Sequence, residues 1–120
     1  MLNKILVVDD AMFMRRMIRR ILEGEGFCGI VEAEDGNAAL ALFEEEKPDL
    51  VILDITMPGM SGIQVLEEMK KRRQETPVVM CSAVGQESMI VQALERGAAD
   101  FIIKPFKQEE FAKTVRYYLQ

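Results

Sequence analysis

Four stretches of this chain contain no charged residue and almost no polarity: Ile5-Leu6-Val7-Val8, Leu50-Val51-Ile52-Leu53, Val78-Val79-Met80-Cys81 and Phe101-Ile102-Ile103. A strand with one face in water alternates apolar and polar residues, whereas a strand covered on both faces reads as a continuous apolar run. Runs of this kind demand packed elements on both sides of a sheet. The intervening segments supply them. Helical periodicity covers residues 12–23, 36–47, 62–73, 86–96 and 107–119, with Gly24, Gly26, Pro48 and Gly97 as stop signals. A weaker strand fits residues 27–33. Strand and helix thus alternate five times. The expectation is an α/β fold: a doubly wound, five-stranded parallel sheet with right-handed crossovers and helices on both faces. One domain over residues 1–120 is expected, with no linker, no repeat and no output domain.

Composition removes several function classes. The chain has no histidine, which excludes Ser-His-Asp triads and imidazole metal sites. The net charge is −5, which argues against direct nucleic-acid binding, since phosphate contacts want a clustered positive surface. No apolar run approaches the roughly 20 residues of a membrane span, and the opening MLNKILVVDD lacks the long apolar core of a secretory signal. A cytoplasmic location follows as an expectation. Cys28 and Cys81 have no metal-site spacing and read as buried free thiols. In the first helix, Arg15, Arg16, Arg19 and Arg20 are placed on one face, with Phe13, Met17, Ile18, Ile21 and Leu22 on the other. The basic face is either simply solvated or a docking surface.

Chemistry gathers where the apolar runs end. Asp9 and Asp10 follow the first expected strand, Asp54 the third, Ser82 the fourth, and Lys104-Pro105 the fifth. Open parallel sheets bind ligands at the carboxyl ends of their strands, so these residues should converge on one edge. An aspartate at a strand end is commonly a cap or a turn former, and Ser82 or Lys104 alone would carry no meaning. The set is what signals. Three clustered carboxylates repel one another, and a hard divalent cation relieves this. Oxygen ligands without cysteine or histidine suit Mg²⁺, here held by Asp9, Asp10, Asp54 and a backbone carbonyl just after Asp54. A carboxylate can also act as the nucleophile in phosphoryl transfer. Mg²⁺, the Lys104 ammonium and the Ser82 hydroxyl would then each engage one phosphoryl oxygen, with Asp54 as acceptor.

The segments ILVVDD (5–10), LVILDITMPGMSG (50–62), VVMCSA (78–83) and DFIIKPF (100–106) resemble the response-regulator receiver domains of two-component signalling, across the whole chain. The resemblance implies the flavodoxin-like strand order 2-1-3-4-5. It implies that Asp54 is the phosphoacceptor, that Asp9 and Asp10 are the acidic pair, and that the Thr56 carbonyl binds Mg²⁺. It further implies that Ser82 and Lys104 contact the phosphoryl group, that a cis peptide bond joins Lys104 to Pro105, and that Phe101 is the aromatic switch residue. Thr56 and Val84 match the positions beside the path of attacking water, where they tune phosphate lifetime.

The resemblance also implies a sensor histidine kinase as donor, with phosphorylation self-catalysed in part and followed by slow autodephosphorylation. That is a switch rather than a metabolic enzyme. Its readout would be a changed surface formed by helix 4, strand 5 and helix 5, binding a target protein. The stretches DDAMFMRRM, DITMPGMSG and CSAVGQ are similar to stand-alone chemotaxis regulators, which makes the flagellar motor switch the expected target. The alternative is a phosphorelay intermediate that passes the group to another protein's histidine. A haloacid-dehalogenase-type phosphatase would need a carboxylate where Thr56 stands. An FMN carrier would need a hydroxyl- and glycine-rich loop where DDAMFM stands, and a dinucleotide fold would need GxGxxG there.

Overall fold

The computed structural model describes residues 3–119. Its elements are β1 (Lys4–Val8), α1 (Met12–Gly24), β2 (Gly29–Ala33), α2 (Gly36–Glu46), β3 (Leu50–Asp54), α3 (Gly62–Arg72), β4 (Val78–Ala83), α4 (Glu87–Glu95), β5 (Asp100–Lys104) and α5 (Gln108–Leu119). The five strands form one parallel sheet in the order β2-β1-β3-β4-β5. The expected doubly wound α/β architecture and strand order are therefore present.

Side-chain alternation along each strand divides the core into two layers. Leu6, Val8, Val51 and Leu53 point to one face, where Phe43 of α2, Leu66 and Met69 of α3 and Ile90 of α4 cover them. Ile5, Val7, Leu50 and Ile52 point to the other, against Ile18 and Leu22 of α1 and Phe111 and Val115 of α5. Local signals set the helix starts. Asp35 accepts the Ala38 N–H at the head of α2, and Ser61 and Gln64 form a reciprocal capping box at the head of α3.

Four sequence expectations change. Strand 2 begins at Gly29 rather than residue 27, and Cys28 just before it is exposed, while Cys81 is buried as expected. β5 is not covered like β1 and β3, because it is an edge strand: Ile102 is buried, but Phe101 is 40% exposed. The four arginines of α1 do not share one face. Arg15 and Arg19 turn toward β2, where both pair with Glu32, while Arg16 and Arg20 face outward beside exposed Phe13 and Met17. Finally, Asp54, Ser82 and Lys104 belong to the strand ends themselves rather than to the loops after them.

Candidate functional site at the carboxyl edge of the sheet

The order β2-β1-β3 means that the chain winds one way from β1 and then the other, leaving a crevice above the ends of β1 and β3. Asp9, Asp10 and Asp54 stand there. One carboxylate oxygen from each lies within 4.8 Å of the other two. Asp9 is 2% exposed and Asp54 7%, whereas Asp10 is open to solvent.

Each buried acid is held by the backbone around it. Asp9 Oδ1 accepts the Ala11 N–H at 2.9 Å. Its Oδ2 accepts from Lys104 Nζ at 2.9 Å, and the same ammonium lies 3.4 Å from Asp54 Oδ1. The backbone N–H of Thr56 lies near enough to the Asp54 carboxylate to favour its charged form. Gly62, the first residue of α3, lets that helix abut the end of β3. Its N–H donates to the Ile55 carbonyl at 2.8 Å, and a Cβ there would lie 2.1 Å from the Asp54 carbonyl oxygen.

Lys104 reaches the acids from β5, across β4. The backbone runs on through a cis peptide bond to Pro105, as the resemblance implied. In register, Asp54 faces Cys81, so Ser82 stands one residue further along β4, beside Ile103. Ser82 is 0% exposed, and its Oγ has no hydrogen-bond partner among the described residues. A buried hydroxyl in that condition is costly unless something arrives to bond it.

The electrostatics follow from this packing. Burial pushes the Asp54 carboxyl up to about 6; the nearby Asp9 charge pushes the same way, and Lys104 opposes both. Burial works against the Lys104 ammonium, but its hydrogen bond to Asp9 and the charges of Asp54 and Asp9 win, holding its pKa above the ordinary lysine value. Cys81, beside the site, is pushed up to about 12 by burial and stays a thiol at neutral pH. A hard divalent cation suits the donor set: three carboxylates, no histidine in the chain, and a nearby sulfur that resists ionisation.

The remaining residues singled out in the sequence lie around this centre. Thr56 and Val84 are both exposed, on the β3–α3 and β4–α4 loops. Phe101 lies further down β5, facing outward near Pro105, Phe106, Glu110 and Thr114. Two contributors escaped sequence reading. Arg15 is buried and donates from Nη1 to the Asp9 carbonyl at 2.6 Å and from Nε to Glu32 at 3.1 Å, tying α1 to the strand end that carries the acids. Gln86 spans from Thr56 to Ala83. The Arg15–Glu32 and Gln86–Thr56 bonds have no local signature, because those partners lie 17 and 30 positions away in the chain.

Comparisons with known proteins agree with this geometry. The family model described as response regulator receiver domain matches residues 5–116. The chemotaxis protein CheY of Bacillus subtilis is 47% identical over 115 residues, covering 96% of each chain. CheY of Thermotoga maritima is 43% identical over 105 residues, covering 88% of each. Among solved structures, the receiver domain of NtrX from Brucella abortus superposes with a TM-score of 0.92 at 41% identity, covering 97% of this chain and 98% of that one. On the matched family, the relatives and the fold together, the chain belongs to the response-regulator receiver domains of two-component signalling.

Proposed function

We propose that this protein is a phosphorylation-activated switch in which Asp54 takes a phosphoryl group from the phosphohistidine of a sensor kinase. The observation that carries this reading is the unpartnered Ser82 hydroxyl, buried at the same sheet edge as Asp54, Lys104 and the acidic pair. In the transfer, an Asp54 carboxylate oxygen attacks phosphorus, the P–N bond to the donor imidazole breaks, and the imidazole nitrogen keeps the electron pair. Lys104 moves from screening the carboxylates to contacting a phosphoryl oxygen, and Ser82 donates its hydroxyl hydrogen to another.

Receiver domains bind Mg²⁺ at an acidic cluster of this kind, and here Asp9, Asp10, Asp54 and the Thr56 carbonyl are the ligands we assign. When bound, Mg²⁺ neutralises charge on the transferring group. The protein's own groups do the positioning, so phosphorylation is self-catalysed in part. Water later hydrolyses the acyl phosphate slowly, at a rate that Thr56 and Val84 set from the two flanking loops.

The phosphoryl group adds about −1.5 to −2 charges at one point. Drawing Ser82 toward it frees room beside β4, into which the outward-facing Phe101 turns. The α4–β5–α5 surface thereby shifts its population between two packings. With chemotaxis proteins among its relatives, we assign that surface to a chemotaxis target, the flagellar motor switch, and place the single domain in the cytoplasm. No helix among the described residues is long and apolar enough to cross a membrane.

The test is intact-protein mass spectrometry after incubation with acetyl phosphate and Mg²⁺. One phosphoryl group should appear on the wild type and none on Asp54→Asn. Equal labelling of both proteins would remove Asp54 as the acceptor.

A further inference from the structure

Gln86 joins the two loops that flank Asp54. Its Oε1 accepts the Ala83 N–H at 2.7 Å, and its Nε2 donates to Thr56 Oγ1 at 2.5 Å. Gln86 occupies the N-cap position of α4, yet its side chain makes no cap hydrogen bond. Its Nε2 also reaches Met89 Sδ in the first turn of α4 at 3.9 Å, a weaker contact than the two short bonds to the neighbouring loops. Gly85 makes this return possible: its φ of +97° belongs to the left-handed region that favours glycine, and it turns the chain back over the sheet edge.

Both anchor points touch the chemistry. Thr56 lies two residues after Asp54, and its backbone N–H is near enough to the Asp54 carboxylate to favour the charged form. The Ala83 nitrogen belongs to the same rigid peptide plane as the Ser82 carbonyl carbon, so Ser82 and the Ala83 N–H move together. One short amide therefore fixes the distance between the loop beside the acceptor and the strand end that bears the unpartnered hydroxyl.

We propose that Gln86 is a positioning residue that latches the β3–α3 and β4–α4 loops in the unphosphorylated state, and that phosphorylation must open this latch before Ser82 can reach the phosphoryl group. The proposal rests on Asp54 being the acceptor. Its consequence is a slower response: the latch stabilises the resting arrangement and so raises the barrier to phosphoryl uptake. A neutral hydrogen bond shifts an equilibrium by a factor of about 3–10, and these two lie where water can compete, so the lower end applies.

Three variants test this: Gln86→Ala, Thr56→Val and the double. All keep the backbone groups, and thermal unfolding checks that they fold. First, amide hydrogen exchange is followed without metal or phosphodonor. The Ala83 amide should exchange about threefold faster in Gln86→Ala than in the wild type, with the β1 and β3 amides unchanged. Second, phosphoryl uptake from acetyl phosphate with Mg²⁺ is timed by intact mass. Each single variant should take up the group about threefold faster, and the double no faster than either single, because both substitutions open one latch.

Unchanged Ala83 exchange would overturn the latch as a physical contact. Uptake equal to wild type in Gln86→Ala, or single effects that multiply in the double variant, would overturn its role. A wild type that takes up no phosphoryl group would overturn the acceptor reading and this proposal with it. A labelled wild type with indifferent variants would overturn the latch alone.

Discussion

Lys104 Nζ lies 2.9 Å from Asp9 Oδ2, an ion pair that joins the far edge strand to the end of β1 across two intervening strands. The ammonium sits 3.4 Å from Asp54 as well, where it neutralises carboxylates that a metal ion would also seek. Lys104 and a divalent cation would thus compete for the same charge in the resting protein. Lys104→Met should bind Mg²⁺ several-fold more tightly, while phosphoryl uptake falls at least tenfold for want of a group on the transferring oxygens. Calorimetric titration of Mg²⁺ at pH 8, beside timed mass spectrometry, checks both halves; weaker Mg²⁺ binding in the variant would contradict the competition.

Asp54 gives a stability signature of its own. Its folded-state pKa, about 6, lies above the ordinary carboxylate value of 3.8, chiefly through burial. The folded protein therefore holds this proton more tightly than the unfolded chain. Stability from this group is fully present below about pH 4 and is lost as pH rises through 6. In metal-free protein at pH 7.5, Asp54→Asn should raise stability by about 2–3 kcal/mol, or roughly 8–12 °C in melting temperature. The gain should vanish at pH 3.5 and shrink when Mg²⁺ stabilises the wild type. Calorimetric melting at the two pH values, with and without Mg²⁺, reads this directly.

Arg15 is a structural support for the acidic edge. Removing it orphans the Asp9 carbonyl and takes one of two guanidinium partners from Glu32, whose pKa lies below the usual range because Arg19 and Arg15 outweigh its burial. Arg15→Ala should cost about 2–3 kcal/mol in urea unfolding. Arg15→Lys should recover only part of this, because an ammonium cannot reproduce the two-directional fork. Full recovery by lysine would show that charge alone matters.

The two thiols should differ sharply. Cys28 is exposed, while Cys81 is buried beneath the site with its pKa pushed up to about 12. A thiol reagent at pH 8 should modify one cysteine in the native protein and both in denaturant. Peptide mapping should find the native label on Cys28.

Gly62 predicts a coupled loss. A Cβ at this position meets the backbone at the end of β3, and nothing there can give way cheaply. Gly62→Ala should lower stability by about 2–3 kcal/mol and also slow phosphoryl uptake, since the same displacement moves Asp54. Stability loss with unchanged uptake would separate the two.

Much of this site was legible in the chain. The uninterrupted runs before Asp9, Asp54, Ser82 and Lys104 announce covered parallel strands, and parallel strands all end at the same edge. Convergence of those four residues follows from strand direction alone. The cis bond before Pro105 came instead from family resemblance. Cys28, Phe101 and the arginines of α1 were not legible, for a common reason. Whether Phe101 is covered depends on β5 being an edge strand, and whether Arg15 faces water depends on Glu32 standing on the adjacent strand. On a helical wheel, Arg15 and Arg16 look equivalent; the sheet distinguishes them.

The layers, the strand direction and the set of groups presented at the sheet edge are written in the amino-acid order, because hydrophobic periodicity and strand ends are local properties of the chain. How those groups address one another emerges from the packed fold. Folding placed Lys104 between Asp9 and Asp54, left the Ser82 hydroxyl buried and without a partner among the described residues, and closed Gln86 across Thr56 and Ala83. Those relations span up to 95 positions in the chain and depend on rotamers and loop closure, which no short-range pattern encodes.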